Sequence, residues 1–296
     1  MLDFPIVRSE LGRMTSFPKL FDSILYVEIV RRPRPSSIFV SLGHRTSKVL
    51  HEIMKTENLS ETVLWVGGSD RRLTAARHYG MNLKSVVSAF KTVYWEAMNK
   101  PYSRIRPAPT LFTDRYMKDA GYAATKAVES ANVYTKTKWL FSAWGHYQPQ
   151  LDRSPNCKDR GEAVRWVNTH ANESWLDHNR THPTTYWATL AEHRFSLSPS
   201  GLGLQSSKTF EAIATLTVPI CHRSNLAYVR LAQEGWPLVI VDTWDWVTLD
   251  NMTIWWHTYA PNMVHARRCM NKTALFENYI SGITMRECID THASHP

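Results

Sequence analysis

The sequence is short of cysteine, of long apolar runs and of clustered charge, and each shortage removes a class of protein. Its four cysteines, Cys157, Cys221, Cys269 and Cys288, are scattered through 296 residues with no C-x-x-C pair. That spacing suits neither a structural zinc site nor a disulfide scaffold, and it reads as free thiols in a reducing compartment. No segment approaches about 18 consecutive apolar residues, and the opening MLDFPIVRSE lacks a charged stretch followed by a long apolar one. The chain is therefore expected to be soluble and cytoplasmic, without a membrane span. Five N-x-S/T triplets, at Asn58, Asn172, Asn179, Asn251 and Asn271, pull the other way, but matter only if the chain enters a secretory lumen. Internal repeats, low-complexity tracts, zinc-finger spacing and RNA-recognition motifs are also missing.

What is present describes a globular protein. Hydrophobic residues make up 43% and charged residues 21%, and the length allows two domains, each with its own core. Twelve tryptophans suit core packing and interfaces, and also stack well on sugar faces. The formal charge of +9 attracts anions, nucleotide sugars among them. The basic residues are dispersed, the densest run being Arg31-Arg32-Pro33-Arg34, so they read as a solvated face. A nucleic-acid-binding protein is the alternative that charge alone keeps open, and steep salt dependence would be its mark.

Strand and helix signals alternate along the chain. Residues 23–30 and 37–43 are rich in β-branched and aromatic side chains and read as strands, separated by the proline loop RRPRPSS. TSKVLHEIMKTEN carries the apolar stripe of a helix, and TVLWVGG suits a buried parallel strand. LKSVVSAFKTVYWEAMNK reads as one helix and PYSRIRPAPTLF as extended chain, while the pattern weakens over 121–138. KWLFSAWG reads as a strand, and the polar stretch after it places a domain junction near 145–155. The expected division is thus 1–148 and 149–296. In the second half RGEAVRWVNTHA reads as a helix, and TTYWATLAEH as another, capped by Thr184 or Thr185.

Residues 192–220 carry the chemistry. A short apolar strand, Phe195 to Leu197, runs into Ser198-Pro199-Ser200-Gly201-Leu202-Gly203, then Ser206-Ser207-Lys208, a helix bearing Glu211, and Val218-Pro219-Ile220. Glycines let backbone N–H groups approach an anion, a helix N-terminus adds partial positive charge, and Lys208 adds a full one. Glu211 lies one turn beyond Lys208, where a carboxylate suits ribose hydroxyls. Together these fit a nucleoside diphosphate.

The same stretch resembles the exostosin-like glycosyltransferases, whose pattern R-F-x-L-x-P-x-G-x-G-x-x-S-x-R-x-x-E-A is met here by Arg194, Phe195, Leu197, Pro199, Gly201, Gly203, Ser206, Lys208, Glu211 and Ala212. Trp236 to Thr248, WPLVIVDTWDWVT, is similar to the strand and turn that follow in that family. The likeness covers about residues 187–250. Lys208 replaces an arginine, turning a bidentate grip into a point charge, and Leu216 stands where the family has glycine. The resemblance implies an α/β protein of the GT-B fold, two Rossmann-like domains facing a cleft, with 1–148 binding the acceptor, 149–296 binding the nucleotide sugar and 273–290 able to cross back to the first. It implies transfer of a sugar from a UDP-sugar to a glycan hydroxyl with inversion.

On that reading the donor is held by Arg194, Ser198, Gly201, Gly203, Ser206, Ser207, Lys208, Glu211 and Asp242. The general base comes from a first-domain loop, Asp70 after Gly67-Gly68 or His44 after Gly43. Asp242 and Asp245 do not form a D-x-D pair, so transfer is expected to need no metal or other cofactor. UDP-xylose is the favoured donor. A glycan-binding protein that has lost turnover is a further alternative, permitted by Lys208 and Leu216.

Overall fold

The computed structural model describes residues 23–24, 37–40, 50–55, 58–67, 82–100, 102–110, 114–143, 158–178, 181–201, 204–270, 275, 278 and 281–294. Two compact units divide between Thr110 and Leu111, each built on a parallel sheet, in keeping with the α/β class expected. In the first unit β1 (Ser23–Ile24), β2 (Ser37–Val40), β3 (Val63–Val66), β4 (Thr92–Trp95) and β5 (Ile105–Pro107) lie side by side in chain order. Every neighbouring pair is parallel. Burial of β3 on both faces explains its unbroken apolar run, VLWV.

The long helix expected over 83–100 divides in two. Helix α1 (Leu83–Ala89) is capped by Asn82, whose side chain accepts from the Lys84 and Ser85 amides, and it ends at Phe90. Beyond it Val93, Tyr94 and Trp95 pair with Leu64, Trp65 and Val66. A β-branched residue followed by two aromatics fits the pleated, buried position that β3 offers, and this outweighs helical periodicity. Gly67, one of the two glycines ahead of Asp70, has a packing role. Gly67 is buried, and a Cβ there would overlap the Glu96 carboxylate, which accepts a hydrogen bond from Trp65 Nε1 at 3.2 Å.

The second unit opens with α2 (Asp114–Ser130), across the stretch whose pattern looked weak. Then come β6 (Lys138–Phe141), α3 (Lys158–Thr169), β7 (Leu176–Asp177), α4 (Pro183–Glu192), β8 (His193–Leu197) and α5 (Ser207–Ala214). β9 (Val218–His222), α6 (Leu226–Gln233), β10 (Val239–Val241), α7 (Leu249–Cys269) and α8 (Met285–Ser294) complete it. The domain boundary therefore lies earlier than 148/149, because β6 pairs with β8 and β7 and is central to the second sheet. The cap of α4 is His182, whose Nδ1 accepts from the Thr184 amide, with Pro183 opening the helix in place of the threonine cap expected.

Leu140, Phe141, Phe195, Leu197, Val218 and Ile220 form the buried centre of this sheet, and Phe210 meets Trp236 edge-on at 5.3 Å. Helix α7 packs against α5 and β9, and α8 packs against α7. A disulfide between Cys269 and Cys288 joins those last two helices, which corrects the reading of four free thiols. Far apart in sequence, the two cysteines come together only through the packing of α8 on α7. Cys221 is free and buried. Among the described residues no helix is long and apolar enough to cross a membrane.

Candidate functional site

The strand order of the second sheet is β10-β9-β8-β6-β7, all parallel. From β6 the chain first builds outward to β7, then returns to lay β8 on the other side of β6 and continues to β9 and β10. At such a reversal the connections leaving neighbouring strands diverge, and the crevice beyond their carboxyl ends is where open α/β sheets take ligands. Ser198-Pro199-Ser200-Gly201, the loop singled out by its sequence, leaves β8 at this position.

The loop is fastened from below. Ser198 donates its backbone N–H to the Ile220 carbonyl at 2.8 Å. Ser200 donates its N–H and its hydroxyl to Asp159 Oδ2, at 2.9 and 3.1 Å. Asn225 Nδ2 donates to the Ser200 hydroxyl at 2.8 Å and to the Leu204 carbonyl, while its Oδ1 caps α6 by accepting from Ala227. Burial raises the Asp159 carboxyl above its ordinary range, with the Ser200 hydrogen bonds opposing the rise. Neither Asp159 nor Asn225 was found by sequence reasoning, since Asp159 acts from 41 residues away.

Ser198 differs from its neighbours. It is buried, yet its hydroxyl has no hydrogen-bond partner among the described residues. A buried hydroxyl without a partner is costly and rare, and it marks a place where a ligand or water completes the bonding. Across the reversal point, at the ends of β6 and β7, Ser142 and His178 Nδ1 lie 2.9 Å apart.

Helix α5 carries the other candidates. Ser206 is its N-cap, accepting from the Lys208 amide at 3.3 Å, and its own N–H donates to the Tyr228 hydroxyl at 2.7 Å. Ser206, expected as a phosphate ligand, thus caps the helix, while Ser207, next along, is half-buried. Glu211 is only 5% exposed and accepts from the Tyr186 hydroxyl, whose pKa is pushed well up, by burial first and by Glu211 next. Lys208 Nζ lies 3.8 Å from the centre of the same tyrosine ring. Burial lowers the Lys208 pKa, Glu211 opposes that shift, and Arg160 adds to it. The pair expected to act together therefore shares one partner, Tyr186.

The helix ends at Leu216, which adopts φ +59°, the left-handed conformation usually left to glycine. Thr217 N–H donates to the Ala212 carbonyl and Leu216 N–H to Ile213, so the turn that a glycine would make is made by leucine.

Other candidates fall elsewhere. Arg194 sits near the start of β8, at the opposite end of the strand from Ser198. Its guanidinium lies over Trp139 at 4.1 Å and Trp256 at 5.7 Å, and its Nε donates to the Lys136 carbonyl. Its geometry is that of a packed structural cation. Asp242 Oδ1 lies 2.6 Å from Arg223 Nε, with both side chains more than a third exposed, so it forms a surface ion pair. Gly201 is half-buried at the end of the loop. Gly203, Asp70 and His44 lie outside the described residues.

One group of metal-ligating types occurs among the described residues, Cys269, Cys288 and His292, and its two sulfurs are bonded to each other.

No family model matches the chain. No curated protein matches it either. Among solved structures, the pneumococcal O-GlcNAc transferase GtfA, crystallised with UDP and GlcNAc, aligns at 12% identity and a TM-score of 0.22. The alignment covers 84% of this chain and 59% of that one, so the present chain spans under two thirds of its length. A likeness at that level does not define a shared fold.

Proposed function

We propose that the protein is a glycosyltransferase that takes its sugar from a nucleoside diphosphate donor bound at the carboxyl end of β8. The observation that carries this reading is the position of the loop from Ser198 to Gly201 at the reversal point of a parallel sheet, with Lys208 and Glu211 on the helix that follows. In such a reaction the bond from the anomeric carbon to the diphosphate oxygen breaks, and negative charge grows on the leaving group. Lys208 would meet that charge. Burial makes its ammonium costly, and an arriving anion relieves a penalty that Glu211 only partly offsets. The Ser198 hydroxyl would donate to a phosphate oxygen, and Glu211, set by Tyr186, would hold the ribose.

The acceptor hydroxyl gives its proton to Asp70 or His44 on this reading. The finer assignment is an inverting, metal-independent enzyme of the exostosin-like type and GT-B plan, acting on a glycan with UDP-xylose as donor. Titration calorimetry with UDP and UDP-xylose tests it, with donor hydrolysis followed in parallel on wild type, Ser198→Ala and Lys208→Ala. The expected result is nucleotide binding that weakens about tenfold or more in Lys208→Ala, roughly 1.4 kcal/mol. A wild type that takes up neither ligand, or a Lys208→Ala protein that binds as well as wild type, overturns the proposal. Binding without hydrolysis or transfer would leave a glycan-binding protein.

A further inference from the structure

We propose that Asn172 is an N-glycosylation site, and that the protein matures in an oxidising compartment where such glycans are added. Two unrelated observations lead there. The first is the disulfide between Cys269, at the end of α7, and Cys288, in α8, both buried. Such bonds persist in secretory and other oxidising environments and are rare in reducing ones. Two thiols give up two protons and two electrons to the thiol-oxidising machinery of that compartment.

The second is the turn between α3 and β7. Asn172, Glu173 and Ser174 are all exposed there, and together they spell the acceptor triplet. The turn is closed by backbone bonds, Glu173 N–H to His170 and Leu176 N–H to Glu173, which leave the Asn172 amide free of any hydrogen bond among the described residues. A glycan at that position projects from the folded surface without disturbing a contact. Asn251 makes the contrast. It is half-buried in the first turn of α7, and its Nδ2 donates to the Trp246 carbonyl at 2.8 Å.

In the modification, Asn172 Nδ2 bonds to the anomeric carbon of a lipid-linked oligosaccharide diphosphate. The anomeric C–O bond breaks, the lipid diphosphate leaves with the electron pair, and the amide loses one proton. The inference is independent of any activity at the β8 loop.

The test uses the full chain isolated from its own cells, trapped with an alkylating agent before any reduction. Peptide N-glycosidase treatment followed by peptide mass mapping should convert Asn172 to Asp while leaving Asn251 unchanged. Unreduced digests should contain Cys269 and Cys288 in one linked peptide. Asn172→Gln and Ser174→Ala should each remove one glycan step on a gel, the second variant keeping the asparagine in place. An unmodified Asn172 peptide overturns the site, and alkylated Cys269 and Cys288 in the native protein overturn the compartment.

Discussion

Lys208 and Glu211 meet on a single aromatic residue: the ammonium lies 3.8 Å from the centre of the Tyr186 ring, and the Tyr186 hydroxyl binds the carboxylate. The ring thus holds a cation on its face while its edge orients an anion. Tyr186→Phe keeps the face and deletes the edge. A buried carboxylate that loses its donor costs about 1–3 kcal/mol, so the urea midpoint should fall accordingly. Nucleotide binding should weaken less than in Lys208→Ala. An unchanged midpoint would show that Glu211 is not held by this hydroxyl.

Arg194 tests the separation of structural from ligand-binding cations. Arg194→Ala removes the stacking on Trp139 and the bond to the Lys136 carbonyl. Destabilisation of about 1–2 kcal/mol is expected, with UDP affinity unaltered in calorimetry. A selective loss of UDP binding in a stable Arg194→Ala protein would return this residue to the donor site.

Lys136 sets a pH dependence. Burial, with Arg267 adding to it, lowers its pKa from 10.5 to about 7. Its Nζ donates to the Ala191 carbonyl and the Thr217 hydroxyl, two acceptors that match the two N–H groups of a neutral amine. Below about pH 7 both folded and unfolded chains carry the charge, and the burial penalty is full. Between about 7 and 10.5 the unfolded chain keeps a proton that the folded chain has shed, so this group's contribution to stability rises with pH. Lys136→Met should be the more stable relative to wild type at pH 6, and that advantage should shrink by a few kcal/mol, to order of magnitude, towards pH 10. Parallel stability curves for the two proteins would contradict the assignment.

Leu216 sets two terms against each other. Glycine there would relieve a left-handed backbone, a gain of about 1–2 kcal/mol. It would also delete a side chain that is 1% exposed, and truncating a buried leucine costs about 2–5 kcal/mol. Leu216→Gly should therefore destabilise, by roughly 1–3 kcal/mol in denaturant titration, although it restores the residue common in the resembling family. A stabilised variant would mean that the leucine packs poorly.

The sequence made the β8 loop legible because proline, serine and glycine punctuate an apolar strand, and local signals suffice for that. It concealed Asp159 and Asn225, because nothing near either residue shows that Ser200 will arrive beside it. Val93 to Trp95 were misread since α1 hands over to β4 across only Phe90 and Lys91, too short a break to interrupt a helical stripe. Helix α2 carries few large apolar residues, so over 121–130 its sequence offers little of the aliphatic stripe that marks a helix. The Cys269–Cys288 bond depends on α8 folding back along α7, a tertiary event with no local mark.

The placement of β8 between β6 and β9 has a consequence for biosynthesis. A nascent chain that has emerged only as far as Ala214 presents the Ser198 loop with one flank of its strand unpaired, and the Ile220 carbonyl that fixes Ser198 is still held inside the ribosome. The loop can therefore take its fixed form only after β9 has left the ribosome, and premature termination upstream of Ile220 yields a fragment in which Ser198 lacks its anchor.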